Sequence, residues 1–258
     1  MSAEATRPVT SARDPRVVRA ARLLRDPAAC RAAGAVAVDG DDVLDEALAA
    51  GLEPELVLED PGRAAEPAPW RARLAGRVAP AHAGPDALRA LAALGQPPRV
   101  VAVLRLPTAP PPAPLPGGAV VLCELGDAGN VGSIVRTAAA LGVPRVVPCG
   151  AGADPLVRRA LRASLGTVLR PGLVSTRAPS VAALAAEPDR PPLAAAVPTG
   201  GVAPDALPAG AAVVLGRERT GLTGAEVAAC DLAVTIPAPG FESLNVAAAA
   251  AILLYATR

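Results

Sequence analysis

The chain has 258 residues with 52% hydrophobic and 19% charged side chains, and its formal net charge is only +1. This length suits one large domain or two modest ones. It contains one Phe, one Trp, one Tyr and one His, so stacking platforms for single-stranded nucleic acid are nearly absent, and its basic residues are all arginines, which excludes the phosphate-loop lysine of Walker-type enzymes.

The N-terminal part of the chain carries a local excess of positive charge. Residues 1–15 are predicted to be unstructured, and between Arg7 and Arg31 seven arginines stand against two aspartates. Within 16–30 the arginines alternate with aliphatic residues at helical spacing, which predicts an amphipathic helix ending near Pro27. These arginines either bind phosphate groups or form a solvated helix face, and the sequence leaves both alternatives open.

Beyond this arm, strands and helices alternate up to Leu106 and predict a small α/β domain. The proline-rich residues 107–118 break all periodicity and predict a stiff, extended linker. The expected organisation is a first domain at 1–106, the linker at 107–118 and a second domain at 119–258. In the first domain the predicted strands are 35–38, 56–58, 77–79 and 100–104, and the predicted helices after the arm are 41–50 and 85–94.

In the second domain, alternating strands and helices predict a mostly parallel sheet with helices on both faces. Two apolar runs lead into loops of Gly, Pro and polar residues at 216–222 and 236–245, where α/β proteins place ligand sites. Residues 246–255 carry no charge and predict a helix that is buried on every side. The predicted strands are 119–122, 145–148, 193–197, 211–215 and 232–236, and the other predicted helices are one ending at Ala140, one at 155–165 and a short one after the capping box Thr223–Glu226.

Several common site types do not fit this sequence. The glycines at 126, 129 and 132 give G-x-x-G-x-x-G, which is not the dinucleotide pattern G-x-G-x-x-G. His82, in an Ala-Gly-Pro context, is predicted to be a surface residue, so no Ser/His/Asp hydrolase is expected. The cysteines are too scattered for a zinc site, so no metal is expected, and they indicate reduced thiols in a cytoplasmic protein. These cysteines are Cys30, Cys123, Cys149 and Cys230. The start Met1-Ser2-Ala3-Glu4 has no apolar core, so no signal peptide is expected, and no apolar run is long enough to predict a membrane span.

Three stretches of the second domain occur in a characteristic order: residues 130–138 (NVGSIVRTA), the pattern Gly216-x-Glu218-x-x-Gly221, and residues 236–246 (IPAPGFESLNV). With residues 162–166 (RASLG) between the first two, they resemble the motifs of the SpoU (TrmH-like) RNA ribose 2′-O-methyltransferases of the SPOUT superfamily. The first domain more loosely resembles the L30e-like RNA-binding domain often fused ahead of such enzymes, through residues 38–48.

This resemblance implies a deep trefoil knot, whose loops hold S-adenosylmethionine, and a homodimer that completes the site. It implies methylation of a ribose 2′-hydroxyl in structured RNA, with 23S rRNA favoured over tRNA. A non-catalytic RNA-binding protein that retains the knotted fold is the alternative. Ala238, Ala247 and Ala256 stand where the family usually has Met, Ser and Glu, and the first two of these differences remove no catalytic group.

The resemblance also implies roles for individual residues. Arg136 is expected to anchor a phosphate and stabilise the oxyanion, since a guanidinium stays protonated and is a poor base, and Glu218 could orient Arg136 through a bidentate pair. Ser243 either fixes the ribose or caps the last helix. The expected catalytic residues are Arg136, Asn130, Glu218, Ser243 and Asn245; the expected cofactor-binding residues are Thr199, Gly200, Gly216, Gly221, Ile236, Ser243 and Leu244; the expected RNA-binding residues are Arg16, Arg22, Arg31 and Arg162, with Arg158, Arg159 and Arg162 as an alternative RNA surface.

Overall fold

The computed structural model describes residues 7–93, 96–106, 114–240 and 243–257. By its internal contacts the chain divides into two compact units, Met1–Thr108 with Leu156–Leu169, and Ala109–Pro155 with Arg170–Arg258. The contacts thus group residues 156–169 with the first unit, although they follow the start of the predicted second domain in sequence. Residues 107–113 of the predicted linker lie outside the described residues.

The regular elements are numbered here in chain order. The strands are β1 (Ala35–Asp39), β2 (Pro54–Glu59), β3 (Ala81–His82), β4 (Val100–Arg105), β5 (Val120–Cys123), β6 (Val146–Cys149), β7 (Leu193–Ala196), β8 (Ala212–Leu215) and β9 (Leu232–Val234). The α-helices are α1 (Pro15–Arg25), α2 (Pro27–Ala33), α3 (Asp41–Ala49), α4 (Trp70–Leu74), α5 (Pro85–Ala90), α6 (Ala128–Ala140), α7 (Arg158–Ala163), α8 (Val181–Ala185), α9 (Gly224–Ala228) and α10 (Val246–Ala256).

The first unit contains a four-stranded sheet in the order β1-β4-β2-β3. Strand β4 runs antiparallel to both β1 and β2, and β2 runs parallel to β3. All of β1 and most of β4 are buried, which explains why both read as continuous aliphatic runs rather than alternating patterns. The predicted strand at 77–79 is wrong, because the third strand lies at 81–82. His82 therefore belongs to a strand, although its side chain is exposed as predicted.

The predicted amphipathic arm helix is confirmed as α1, which buries Val17, Ala20, Leu23 and Leu24 and ends at Arg25. The sequence did not predict α2, because Pro27 reads as a helix stop. Proline is equally suited to the first turn of a helix, where its missing N–H needs no partner, and here Asp26 caps that turn. The expectation that residues 1–15 are unstructured is wrong at Val9, whose backbone bonds to His82 and Gly84 add it to the sheet.

The second unit contains a five-stranded sheet in the order β6-β5-β8-β7-β9, and every pairing in it is parallel. The predicted mostly parallel α/β sheet is therefore confirmed. Parallel strands bring all their carboxyl ends to one edge, so the loops that follow β5, β7, β8 and β9 meet there. Beneath these loops the core is aliphatic, built around Val121, Val147, Val181, Leu193 and Val214.

The last helix is only partly buried within the chain. In α10, Ala250, Leu253 and Leu254 are buried, but Ile252 is 42% and Tyr255 is 69% exposed. The prediction of burial on every side is thus not met by a single copy of the chain. An apolar face of α10 remains uncovered.

Cys30, Cys123 and Cys149 are buried and Cys230 is half-buried, and within the described residues none of the four forms a disulfide. Among the helices in the described ranges, none has the length and apolarity needed to cross a membrane. Within those same ranges, no group of three or more His, Cys, Asp or Glu side chains could hold a metal ion.

Candidate functional site

The carboxyl edge of the five-stranded sheet opens into a cavity of about 920 Å³. Its walls are the loops after β7, β8 and β9 together with the start of α10. The structure brings all seven residues expected to bind a cofactor to this one cavity, and their binding role stays a prediction. They are Thr199, Gly200, Gly216, Gly221, Ile236, Ser243 and Leu244.

The loop after β8 folds back on itself, which explains its two glycines. The backbone N–H groups of Arg217 and Gly221 each donate to the other residue's carbonyl, at 3.3 and 2.9 Å. A Cβ atom on Gly216 would lie 2.4 Å from the backbone of Gly221 and Leu222, so no larger residue fits there. Gly221 itself has φ of +65°, a conformation that favours glycine. The spacing Gly216-x-x-x-x-Gly221 is therefore the signature of this turn.

Thr235 joins two walls of the cavity and was not predicted as a site residue. Its hydroxyl accepts a hydrogen bond from the backbone N–H of Gly201 at 2.9 Å and donates to the carbonyl of Val197 at 3.1 Å. It thereby ties the loop after β9 to the loop after β7. A lone threonine at the end of an apolar strand was the available signal in the sequence.

The carboxylate of Glu218 binds the loop between β5 and α6. It accepts hydrogen bonds from the backbone N–H groups of Gly126 and Asp127 at 3.2 and 2.9 Å, and from Nδ2 of Asn130 at 3.3 Å. Burial acts to raise the pKa of Glu218, but these donors outweigh it and leave the pKa below its usual value. The expected pair between Glu218 and Arg136 is wrong, because the carboxylate is occupied by this loop.

Asn130 and Asn245 continue this chain of polar contacts. Nδ2 of Asn245 donates to Oδ1 of Asn130 at 3.4 Å, while its own Oδ1 accepts from the backbone N–H groups of Ala247 and Ala248 at 2.8 and 3.4 Å. Asn245 is therefore the N-cap of α10. The alternative that Ser243 caps this helix is wrong, and Ser243 lies exposed at the cavity wall.

Arg136 lies further along α6 and its side chain is exposed. It forms no hydrogen bond or ion pair with the part of the chain that the structure describes, and it is not among the described residues lining the cavity. Residues 241 and 242 of the third motif lie outside that part. The structure thus places Asn130, Glu218 and Asn245 in one contact chain, Ser243 at the cavity, and Arg136 apart from them as an exposed cation.

The arginines expected to bind RNA all belong to the first unit, but they differ in availability. Arg16 pairs with Asp14 and donates to the carbonyl of Arg7, each at 2.9 Å. The side chains of Arg22 and Arg31 are exposed. Arg162 is 58% exposed and makes a contact of 3.1 Å to Asp39. Three of the four are thus open to solvent, whereas Arg16 is held in a local ion pair.

Residues 118–255 match the sequence model described as the SpoU rRNA Methylase family. The chain is 34% identical over 145 residues to a 23S rRNA (adenosine(1067)-2′-O)-methyltransferase of Streptomyces laurentii, which covers 55% of this chain and 54% of that protein. It is 37% identical over 142 residues to an uncharacterised tRNA/rRNA methyltransferase of Mycobacterium tuberculosis, covering 52% and 49%. The chain spans about half the length of these curated relatives.

Two solved structures are similar over nearly the whole chain. A crystal structure of an RNA 2′-O ribose methyltransferase has a TM-score of 0.80 and 28% identity, covering 97% of both chains. The SpoU methyltransferase AviRb from Streptomyces viridochromogenes, solved in complex with the cofactor AdoMet, has a TM-score of 0.77 and 29% identity, covering 95% of this chain and 97% of that one. Since the family model matches more than half of the residues, the chain belongs to the SpoU rRNA methylase family, whose methyltransferases use S-adenosylmethionine.

Proposed function

We propose that this chain transfers a methyl group from S-adenosylmethionine to a ribose 2′-hydroxyl of structured RNA, with 23S rRNA favoured over tRNA. One observation carries the proposal. The second and third family motifs in chain order line a single cavity. The first motif begins at Asn130, which contacts both Glu218 and Asn245. The relative from Streptomyces laurentii, named for 2′-O-methylation of 23S rRNA, supports this choice of reaction and RNA.

The residues present fit S-adenosylmethionine. The cavity of about 920 Å³ lies within the range of about 300–1,000 Å³ that small-molecule sites occupy. Its wall combines aliphatic side chains such as Ile236 and Leu244 with the glycines Gly200, Gly216 and Gly221. We assign cofactor binding to the seven lining residues named above. When bound there, the cofactor supplies the activated methyl group.

The chain's own residues must place the ribose hydroxyl and stabilise its developing negative charge. Arg136 is exposed and forms no hydrogen bond or ion pair within the described residues. Its guanidinium can therefore bind a phosphate next to the target ribose and stabilise the oxyanion. Asn130 is oriented by Glu218 on one side and Asn245 on the other. We assign to Asn130 and Ser243 the alignment of the ribose, and to Glu218 and Asn245 the support of these groups.

We further propose that the enzyme is a homodimer, in which a second copy covers the apolar face of α10. Ile252, Tyr255 and Leu244 are large apolar side chains left exposed by a single copy. The trefoil knot that the family implies is part of this proposal. Light scattering should report a dimer for the wild type and a monomer for I252E, because a buried carboxylate opposes association. A wild-type monomer would contradict it.

RNA binding is assigned to the exposed arginines of the first unit. A cytoplasmic location is proposed because the four described cysteines are reduced. The experiment that tests the function incubates the protein with labelled S-adenosylmethionine and total rRNA or tRNA from a deletion strain, and then analyses the nucleosides. We expect label in 2′-O-methyl nucleotides of 23S rRNA. Label in methylated bases would refute the proposed reaction, and failure to bind the cofactor would favour a non-catalytic RNA-binding protein.

A further inference from the structure

Two adjacent residues of the loop after β8 hold opposite ends of the loop between β5 and α6. Glu218 binds the later end, through the N–H groups of Gly126 and Asp127. Arg217 binds the earlier end, donating from Nε and Nη2 to Oε2 of Glu124 at 3.0 and 2.7 Å. The β5–α6 loop is therefore held at both ends by two side chains of opposite charge, Glu218 and Arg217.

The Arg217 guanidinium is also bound from its other side by Glu226 of α9. Nη1 donates to Oε2 at 3.0 Å and Nη2 donates to Oε1 at 3.0 Å. Glu226 is itself fixed by the capping box with Thr223 and accepts a hydrogen bond from the Cys123 thiol at 3.1 Å. The side chains of Arg217 and Glu226 are largely buried, at 25% and 17% exposure, so this cluster is partly shielded from solvent.

The backbone around Glu124 is built to present its side chain to Arg217. Glu124 has φ of +51°, a left-handed conformation that is costly for a residue other than glycine and persists only where surrounding contacts hold it. Gly150 makes room for it, since a Cβ atom at that position would lie 2.6 Å from Cγ of Glu124. The strained backbone of Glu124 and the space at Gly150 thus place the Glu124 carboxylate against Arg217.

We propose that Arg217 is a positioning residue of the methyltransferase site, which holds the β5–α6 loop so that Glu218 and Asn130 meet. The inference rests on the proposed function for the role of Asn130. Asp127 caps α6 by accepting from the backbone N–H of Asn130 at 2.9 Å, so the loop determines where Asn130 lies. Arg217 acts through this loop, because its donors are directed to the two glutamates and to the carbonyl of Gly221.

The test compares R217A, R217K and E124Q with R190A as a matched control. Arg190 also binds a carboxylate through two contacts, to Asp231 at 2.5 and 3.2 Å, but it does so next to the start of β7, at the opposite edge of the same sheet. Both arginines therefore contribute an ion pair to the second unit, and only Arg217 contacts the β5–α6 loop. Hydrogen exchange of residues 124–130 is measured without cofactor or RNA, and kcat and KM for RNA are measured separately.

In R217A we expect faster exchange at the amides of Gly126 and Asp127, and a kcat lower by about 10- to 100-fold, as expected when a catalytic group shifts by about 1 Å. The KM for RNA should change little, because the RNA-binding arginines are untouched. E124Q should also loosen the loop, although it leaves the pair between Arg217 and Glu226 in place. R217K should be intermediate, because one ammonium cannot reproduce the fork that bridges two carboxylates.

R190A should leave both the exchange of residues 124–130 and kcat unchanged. If R217A and E124Q match R190A in both measurements, Arg217 is not a positioning residue. Should R217A fail to fold, E124Q decides the question alone, since it retains the arginine and the size of the side chain. A wild type that produces no 2′-O-methyl nucleotides would refute the proposed function instead, whereas an active wild type with unaffected variants refutes only the role of Arg217.

Discussion

Arg158 binds the carboxylate of Asp39 through two parallel hydrogen bonds, Nε to Oδ1 at 2.8 Å and Nη2 to Oδ2 at 2.9 Å. Asp39 is only 5% exposed, and the same guanidinium donates to the carbonyl groups of Leu91 and Ala92 at 3.0 and 3.3 Å. An arginine engaged in this way is not available to phosphate groups. It serves the first unit structurally, since removing Asp39 would leave the largely buried guanidinium of Arg158 without its carboxylate partner. The alternative RNA surface built on Arg158 therefore loses one of its members.

RNA affinity should instead depend on exposed arginines of the N-terminal arm. We expect a triple variant to bind RNA more weakly. The slope of log K for RNA binding against log salt concentration should become less steep by about 0.7–0.9 for each lost phosphate contact. The kcat at saturating RNA should change little. Binding is measured against salt concentration for R13Q/R22Q/R31Q and for the control R63Q/R73Q/R89Q, whose arginines already pair with Glu66, Asp45 and Asp86. Equal slopes for both variants would show that the arm is only a solvated helix face.

Arg136→Ala should reduce turnover while leaving cofactor affinity essentially unchanged. Arg136 is not one of the described residues that line the cavity, so its loss removes charge stabilisation without altering the cavity wall. Loss of one oxyanion donor lowers kcat by about 10²–10³-fold. Single-turnover kinetics and calorimetry with S-adenosylmethionine check the two parts. A collapse of cofactor affinity in R136A would move the residue from catalysis to cofactor binding.

Asn245→Ala should destabilise the protein, whereas Ser243→Ala should not. Asn245 caps α10 and also contacts Asn130, and loss of an N-cap side chain costs about 1 kcal/mol. Ser243 has no capping bond to lose and serves as the matched control on the same loop. Urea unfolding of both variants gives the comparison. A larger loss of unfolding free energy in S243A than in N245A would contradict the assignment of the cap.

The contribution of Glu226 to stability should depend on pH in the acid range. Hydrogen bonds from Arg217 lower the pKa of Glu226 from 4.5 to about 2. A carboxylate whose pKa is lowered by folding contributes stability above its unfolded pKa and loses this contribution as pH falls through the folded pKa. The difference in unfolding free energy between wild type and E226Q should therefore be full at neutral pH, shrink below about 4.5 and disappear near 2. A difference that stays constant over this range would contradict the assignment.

Much of the second unit could be predicted from local patterns. Its short Val, Ala and Leu runs are buried parallel strands, and the capping box of Thr223 and Glu226 begins α9 as expected. The glycines of the loop after β8 were informative because a turn that folds back on itself excludes a Cβ atom, a requirement that acts within a few residues. Apolar runs, turn glycines and a capping box each act within a few residues of chain, so the sequence by itself determined the fold class and the cavity-lining loops.

Only the tertiary structure decided which polar groups meet. Glu218 binds the β5–α6 loop instead of Arg136, and Arg158 binds Asp39. Asn245 rather than Ser243 caps α10. The contacts of Glu218 and Arg158 join residues far apart in the chain, which no local pattern records, and the cap of α10 depends on the residue at which that helix begins. The same reason explains α10, since its sequence is apolar all round but the sheet and α6 cover only one side of it.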